Sequence, residues 1–94
     1  LKNVLNSDGT VIIYYGELEG GSQLTEYLCI ERGRPCKLID ALEVPVFRAA
    51  DIIREFVDKH SIQVLNVAGP RASKQPDAYR YAYGVITEYL NLYK

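Results

Sequence analysis

Short β-branched apolar runs alternate along the chain with longer stretches in which apolar residues recur every three or four positions. The short runs predict strands at 11–15, 36–40 and 63–68. Each is followed by a turn containing Gly or Pro and then by helical spacing, which is clearest at 49–57. Three strand–helix units in succession predict parallel strands joined by right-handed crossovers.

The first helix has recognisable start and stop signals. Ser22 is a good N-cap residue, and Leu24, Tyr27 and Leu28 give an apolar stripe. Gly33 stands where a C-cap glycine belongs. These residues predict a helix between the first and second strands.

The last helix is apolar around much of its girth. Its predicted core stripe consists of Ala78, Tyr79, Ala82, Tyr83, Ile86 and Leu90. Further apolar residues lie off that stripe at Tyr81, Tyr89, Leu92 and Tyr93. A helix of this kind is usually covered on more than one side, so we predict a homo-oligomer that uses the last helix. Ordinary surface tyrosines are the alternative.

Three parallel strands leave faces and edges that need cover. We therefore expect 1–94 to be a single domain that is incomplete at its N-terminus, the C-terminal part of a larger three-layer α/β fold. The sequence contains no Met and starts at Leu1 within polar residues, so we expect that Leu1 is not the natural start of the protein.

Composition and net charge limit the classes of partner and of site that can be expected. A net charge of −1 gives no overall attraction to nucleic acid or acidic lipid, and no apolar run approaches the roughly 18 residues of a membrane span. Without a secretory signal pattern, we expect a cytoplasmic protein. Cys29 and Cys36 lack metal-site spacing and are interpreted as small buried residues, with a disulfide or redox role as the alternative. His60, the one histidine, stands near a helix end, where capping is commoner than catalysis.

Chemistry is expected at the carboxyl ends of the strands, where open parallel sheets bind ligands. After the first strand, Gly20, Gly21 and Ser22 open a helix, and Thr25 adds a hydroxyl. Glycines let backbone amides approach a ligand, and the amides and dipole of a helix start favour negative charge. The sequence therefore predicts a phosphate-binding turn, with a plain loop and N-cap as the alternative.

Acidic residues complicate this turn. Glu17 and Glu19 argue against a bare anion site unless they point away or bind a ligand hydroxyl. Asp40 ends the second strand twenty residues after Gly20, where dinucleotide folds place the acid that binds a ribose hydroxyl. A turn role is the alternative for Asp40, and it is the one we favour.

The turn after the third strand contains cationic groups. Gly69 and Pro70 are followed by Arg71, Ser73 and Lys74. Arg offers a planar fork to an oxyanion, Lys a point charge and Ser a donor, so this turn predicts a phosphate cradle. A solvated basic loop is the alternative.

Four segments together resemble a known family. They are 6–13, 16–25, 33–36 and 65–74, of which Asn66 to Lys74, reading NVAGPRASK, is the most specific. The chain resembles the putative molybdenum carrier family, a circularly permuted branch of the Rossmann-like superfamily that contains the lysine-decarboxylase-like (LOG) proteins. The resemblance implies an oxyanion or a phosphorylated pterin as the ligand.

The chain departs from this wider group in two ways. Family members begin upstream with a further Gly-rich strand-to-helix turn. The phosphoribohydrolase relatives carry Gly-Gly-x-Gly-Thr-x-x-Glu, and aligned on 20–21 this chain has Gln23, Leu24 and Tyr27 at the last three motif positions. Glu26 is one position early, about 100° around a helix. From the first departure we expect part of the pocket to lie outside this sequence. The second disfavours base-releasing hydrolysis.

Three hypotheses follow. The first is a binding or carrier module for a small phosphate-bearing or oxyanion ligand, either molybdenum cofactor or a nucleotide, with no metal ion held directly. The second is a nucleotide-processing enzyme of the phosphoribohydrolase type. The third is a structural or assembly protein with no ligand. None of the three involves nucleic acid or a membrane.

Overall fold

A computed structural model describes residues 2–70 and 75–93, with no account of the side chains of Lys2 and Asn3. Its elements in chain order are α1 (Lys2–Leu5), β1 (Gly9–Tyr14), α2 (Gly20–Glu31), β2 (Cys36–Asp40), α3 (Val46–His60), β3 (Leu65–Ala68) and α4 (Ala78–Asn91). The three predicted strand–helix units are confirmed. The first strand starts two residues earlier than predicted and the third starts two residues later, while the one-turn helix α1 had no signal that we identified.

The strands form one parallel sheet in the order β2-β1-β3. The central strand β1 pairs Ile13 with Ile39 on one side and Val11 with Val67 on the other. The two crossovers run in opposite directions along the sheet. Because both are right-handed, α2 and α3 lie on opposite faces.

The main core lies between the sheet and the pair α3 and α4. Val11 and Ile13 of β1 pack there with Ala49 and Ile53 of α3 and Val85 of α4. All five side chains are at most 2% exposed. This core explains why β1 is apolar at consecutive positions, since its alternate side chains enter layers on both faces.

The predicted core stripe of α4 is wrong by about one residue of rotation. Tyr79, Tyr83 and Leu90 are 75%, 64% and 57% exposed. The residues that face the core are Ala78, Tyr81, Ala82, Val85 and Tyr89. Contacts with the α3 side fix this orientation. The Tyr81 hydroxyl donates to the Val44 carbonyl at 2.7 Å, and a Cβ on Gly84 would lie 3.3 Å from Val46 Cγ1.

The stripe predicted for α2 is also largely wrong. Leu24 and Tyr27 are 57% and 60% exposed, and Leu28 is half-buried. Cys29 is the residue of α2 that is fully buried. A sheet of three strands is too narrow to cover a wide helical face, so α2 keeps an apolar surface outside.

The two cysteines lie together where α2 meets β2. Both thiols are free, with Cys29 buried and Cys36 half-buried. Burial, and next the neighbouring Cys29 thiol, raise the pKa of Cys36 to about 12. A thiol with so little thiolate at neutral pH is a poor nucleophile, which supports the packing interpretation.

The predicted C-cap glycine is confirmed. Gly33 has φ +67°, its N–H donates to the Ile30 carbonyl, and the N–H of Arg34 donates to the Cys29 carbonyl at 2.9 Å. This is the Schellman arrangement. Helix α3 ends in the same way, but with Ser61 at φ +52° in the left-handed position. A residue with a Cβ is strained there.

We expect Ser61→Gly to raise the free energy of unfolding by roughly 1 kcal/mol, because glycine adopts the left-handed conformation without the Cβ penalty. Denaturant unfolding at 25 °C measures the change. Gly33→Ala is the matched control, and it should lower the same quantity by a similar amount. A Ser61→Gly protein no more stable than the wild type would contradict the assigned cap.

Tyr15 and Tyr81 form a contrasting pair at the carboxyl end of β1. Their rings meet edge to face with centroids 6.3 Å apart. Among the described residues the Tyr81 hydroxyl has the Val44 carbonyl as acceptor, whereas the buried Tyr15 hydroxyl has no partner. Burial raises the pKa of both phenols, so both keep their protons at neutral pH.

We expect Tyr81→Phe to lower the free energy of unfolding by about 1 kcal/mol, because the Val44 carbonyl loses its donor. Tyr15→Phe should leave that free energy unchanged or raise it, because it removes a buried group without a partner. Thermal and denaturant unfolding of both variants check this. Equal destabilisation by the two substitutions would show that the Tyr15 hydroxyl is satisfied.

Candidate functional site

The sheet order creates a crevice at one place. From β1 the chain crosses to β2 on one side and later returns to β3 on the other side. The loops that leave β1 and β3 therefore separate to opposite faces and leave a gap at the carboxyl ends of these neighbouring strands. This is the position at which open α/β sheets bind ligands.

A cavity of about 830 Å³ lies in this crevice. Its walls come from the end of β1 and the following loop, the first turn of α2, and the end of β3. Predicted site residues that line it are Glu17, Gly20, Gly21, Ser22, Thr25, Gly69 and Pro70. The turns after the first and third strands therefore meet at one space.

The start of α2 forms one wall. The prediction of Ser22 as N-cap is wrong, because the helix begins at Gly20 and Glu19 is the N-cap. The amides of Ser22 and Gln23 both donate to the Glu19 carbonyl, so those of Gly20 and Gly21 precede the helical hydrogen bonds. The φ of Gly20, +48°, favours glycine, and this conformation lets the helix start two residues before the serine.

Side chains of this first turn contribute less than was expected. The Thr25 hydroxyl donates to the Gly21 carbonyl at 2.8 Å. Its proton is therefore already used, and it presents an acceptor rather than the expected donor to the cavity. A Cβ on either Gly20 or Gly21 would meet nothing within 4 Å, so the helix start is open at both positions. The backbone is thus the main source of donors here.

Asp40 shapes the loop after β1 from outside the cavity. Its Oδ1 accepts hydrogen bonds from the backbone N–H of Gly16 at 2.9 Å and of Leu42 at 3.0 Å. Gly16 has φ +79°, and next to it the N–H of Glu17 donates to the Tyr15 carbonyl. The turn role favoured for Asp40 is thus what the geometry gives. A ribose contact by Asp40 stays a prediction.

The end of β3 forms the opposite wall. Ala68, Gly69 and Pro70 line it, and a Cβ on Gly69 would lie 3.8 Å from the Ile13 carbonyl oxygen. This loop therefore runs close to β1. The predicted cationic residues Arg71 and Lys74, and Ser73 between them, lie outside the described residues.

Sequence reasoning missed part of the lining. The cavity is also bounded by Tyr14, Tyr15, Ala68 and Gln75. The sequence pattern predicts the two tyrosines only as part of the apolar first strand. The signal that could have identified them is their position, since they are the last aromatic residues before the carboxyl-end loop.

Charge in the described lining is negative. Among the described residues that line the cavity, the charged ones are Glu17 and Glu19. Glu19 makes no side-chain hydrogen bond to the helix that it caps. The one ion pair found in the described part of the chain, Arg48 with Glu55 at 3.7 Å, lies on α3. Neither cavity carboxylate is neutralised by a described cation.

Within residues 2–70 and 75–93, no group of three or more His, Cys, Asp or Glu side chains could hold a metal ion. None of the helices in that part of the chain has both the length and the apolar character to cross a membrane.

Comparison with known proteins gives the same picture of the fold. A crystal structure of the putative molybdenum carrier protein from Syntrophus aciditrophicus superimposes with a TM-score of 0.91 and is 45% identical. The match covers 95% of this chain and 56% of that chain, so this chain spans little more than half of its neighbour's length. No match was found among curated proteins. The model of the family described as "Circularly permutated YpsA SLOG family" matches residues 1–90. The chain therefore belongs to the circularly permutated YpsA SLOG family.

Proposed function

We propose that this chain is a binding or carrier module for a small phosphate-bearing ligand. The observation that carries the proposal is the meeting of two strand-to-helix turns at one cavity of about 830 Å³. That volume suits an organic molecule of the size of a nucleotide. The free amides at the start of α2 suit the phosphate of such a molecule.

Molybdenum cofactor and a nucleotide are the two ligands proposed. The name of the Syntrophus protein supports the first, and the Rossmann-like arrangement of strands supports the second. Each combines a phosphate with a planar ring system. The aromatic side chains of Tyr14 and Tyr15 in the cavity wall suit the ring in either case.

Each turn has a role in this proposal. The amides of Gly20 and Gly21 hold one oxyanion at the start of α2. Arg71 and Lys74 neutralise the phosphate from the turn after β3, and Ser73 donates to it. Charge-assisted hydrogen bonds of this kind are about twice as strong as neutral ones.

A nucleotide-processing enzyme is the second candidate. The observation that favours it is the pair of carboxylates, Glu17 and Glu19, in the cavity wall. Tyr27, at the position of the relatives' catalytic glutamate, is 60% exposed and is not a lining residue, which counts against it. Release of free base from a nucleoside monophosphate, lost on mutation of either glutamate, would favour the enzyme over the carrier.

We also propose self-association through α4. Its outward stripe repeats at alternating intervals of three and four residues and consists of Tyr79, Tyr83, Ile86, Leu90 and Tyr93. The edge strand β3, Leu65–Ala68, carries no charged side chain, whereas the other edge strand has the exposed Lys37. Uncharged edges invite pairing, so this flank suits a second copy of the chain.

We expect Arg71→Ala to weaken binding of a nucleoside monophosphate by about 1.5–3 kcal/mol, or roughly 10- to 150-fold, because charge-assisted bonds to the phosphate are lost. Isothermal titration calorimetry measures the affinity. Arg80→Ala, on the exposed side of α4, removes the same charge away from the cavity and should change little. Unchanged affinity in Arg71→Ala would contradict the assigned role.

We expect Tyr83→Lys to convert an oligomer to a monomer, because a lysine in the middle of the apolar stripe would lose hydration at the contact. Size-exclusion chromatography with light scattering gives the mass. Thr87→Lys, on the polar side of α4, is the control and should keep the wild-type mass. A wild-type protein that is monomeric at every concentration would contradict the proposed self-association.

A further inference from the structure

We infer that Glu17 and Glu19 make the cavity selective for phosphate esters that carry hydroxyl or N–H donors and unfavourable for bare oxyanions such as inorganic phosphate or molybdate. The inference rests on the proposed function, since it names the ligand class of the same cavity. It assigns a specificity role to two side chains that a phosphate cradle would not be expected to contain.

The carboxylates lie where a ligand must meet them. Both glutamates line the cavity, and both lie in the loop that joins β1 to α2. The loop before Glu17 is anchored by the Gly16 N–H bond to Asp40, and the Glu17 N–H itself donates to the Tyr15 carbonyl. These backbone bonds fix the position from which the Glu17 side chain starts.

The backbone of Glu19 is fixed by its position at the start of α2, and its carboxylate is also placed to accept a hydrogen bond from a ligand. It is the N-cap of α2, with extended backbone at φ −132° and ψ 153°. An N-cap side chain usually accepts a hydrogen bond from the first turn, yet this one makes none. Its carboxylate is therefore not used by the helix, and it can accept hydrogen bonds from a ligand in the cavity.

The two carboxylates act differently on a bare anion and on an ester. The start of α2 and, in the proposed function, Arg71 and Lys74 attract the negative charge of either ligand. Glu17 and Glu19 line the same cavity and weaken that attraction. An inorganic oxyanion gains nothing in return, whereas the hydroxyl or N–H groups of an ester donate hydrogen bonds to both carboxylates.

The size and apolar part of the cavity point to the same ligand class. A space of about 830 Å³ is in the range of pockets for whole organic molecules and far exceeds what a small anion fills. Tyr14, Tyr15 and Pro70 give it surface that an inorganic ion does not use. A ring with polar substituents at one end and a phosphate at the other uses all three kinds of lining.

The test compares three probes on the same protein by calorimetry at low salt: AMP, inorganic phosphate and molybdate. We expect the wild type to bind AMP at least about 30-fold more tightly than either oxyanion. In Glu17→Gln with Glu19→Gln, that preference should fall at least about tenfold, because repulsion of the oxyanions is removed and the ligand's donors lose charged acceptors. Glu26→Gln with Glu31→Gln is the control, since it makes the same charge change on α2 outside the cavity lining.

The outcomes separate the two claims. Wild-type protein that binds AMP and the oxyanions equally well would overturn the selectivity while leaving the proposed function intact. A preference that is unchanged in the cavity double variant, or that falls equally in the control, would remove the role of these glutamates. Wild-type protein that binds none of the three probes would refute the nucleotide as the ligand in the proposed function, and the inference with it.

Discussion

The pairing of β1 on both edges is the constraint on which the site depends. Because β2 and β3 lie on opposite sides of β1 and run parallel to it, the chain must cross the sheet in two directions. Right-handed crossovers then send α2 and α3 to opposite faces and open a crevice at the ends of β1 and β3. The cavity is a consequence of this order, since the same three units in the order β1-β2-β3 would place β1 and β3 apart.

Within that crevice, the backbone does most of the positioning. Asp40 holds the loop after β1 through the amides of Gly16 and Leu42, and Gly20 starts α2 in a conformation that glycine adopts most readily. The result is a helix start whose first amides make no hydrogen bond to the described residues and whose N-cap carboxylate makes none to the helix. In our proposal, such a site attracts one negative group and favours a ligand whose remaining polar groups are donors.

The sequence allowed the strands and the Gly33 cap to be predicted because both depend on local signals. Consecutive β-branched residues define β1, and a glycine is needed where the chain turns left-handed after α2. Local signals do not predict which face of α2 or of α4 is buried. In α4, apolar residues form two adjacent stripes, and only the bond of Tyr81 to Val44 and the close packing at Gly84 decide which stripe faces the core.

The site was predictable in outline for the same reason. Parallel strands and glycines located the two turns, but whether these turns share a cavity depends on strand order, which no local pattern contains. The residue type of Ser22 predicts an N-cap there, yet the left-handed Gly20 moves the helix start upstream. The sequence pattern does not identify Tyr14 and Tyr15 as lining residues, because an aromatic residue at the end of a buried strand has the same pattern as a core residue.

The central claim is that the loops after β1 and β3 contact one ligand together. A ¹⁵N-resolved NMR titration with AMP tests it directly, because the amides of Gly20, Gly21 and Gly69 report on the two loops separately. We expect all three resonances to shift with the same dissociation constant. Shifts confined to one loop, or different dissociation constants for the two loops, would contradict the account.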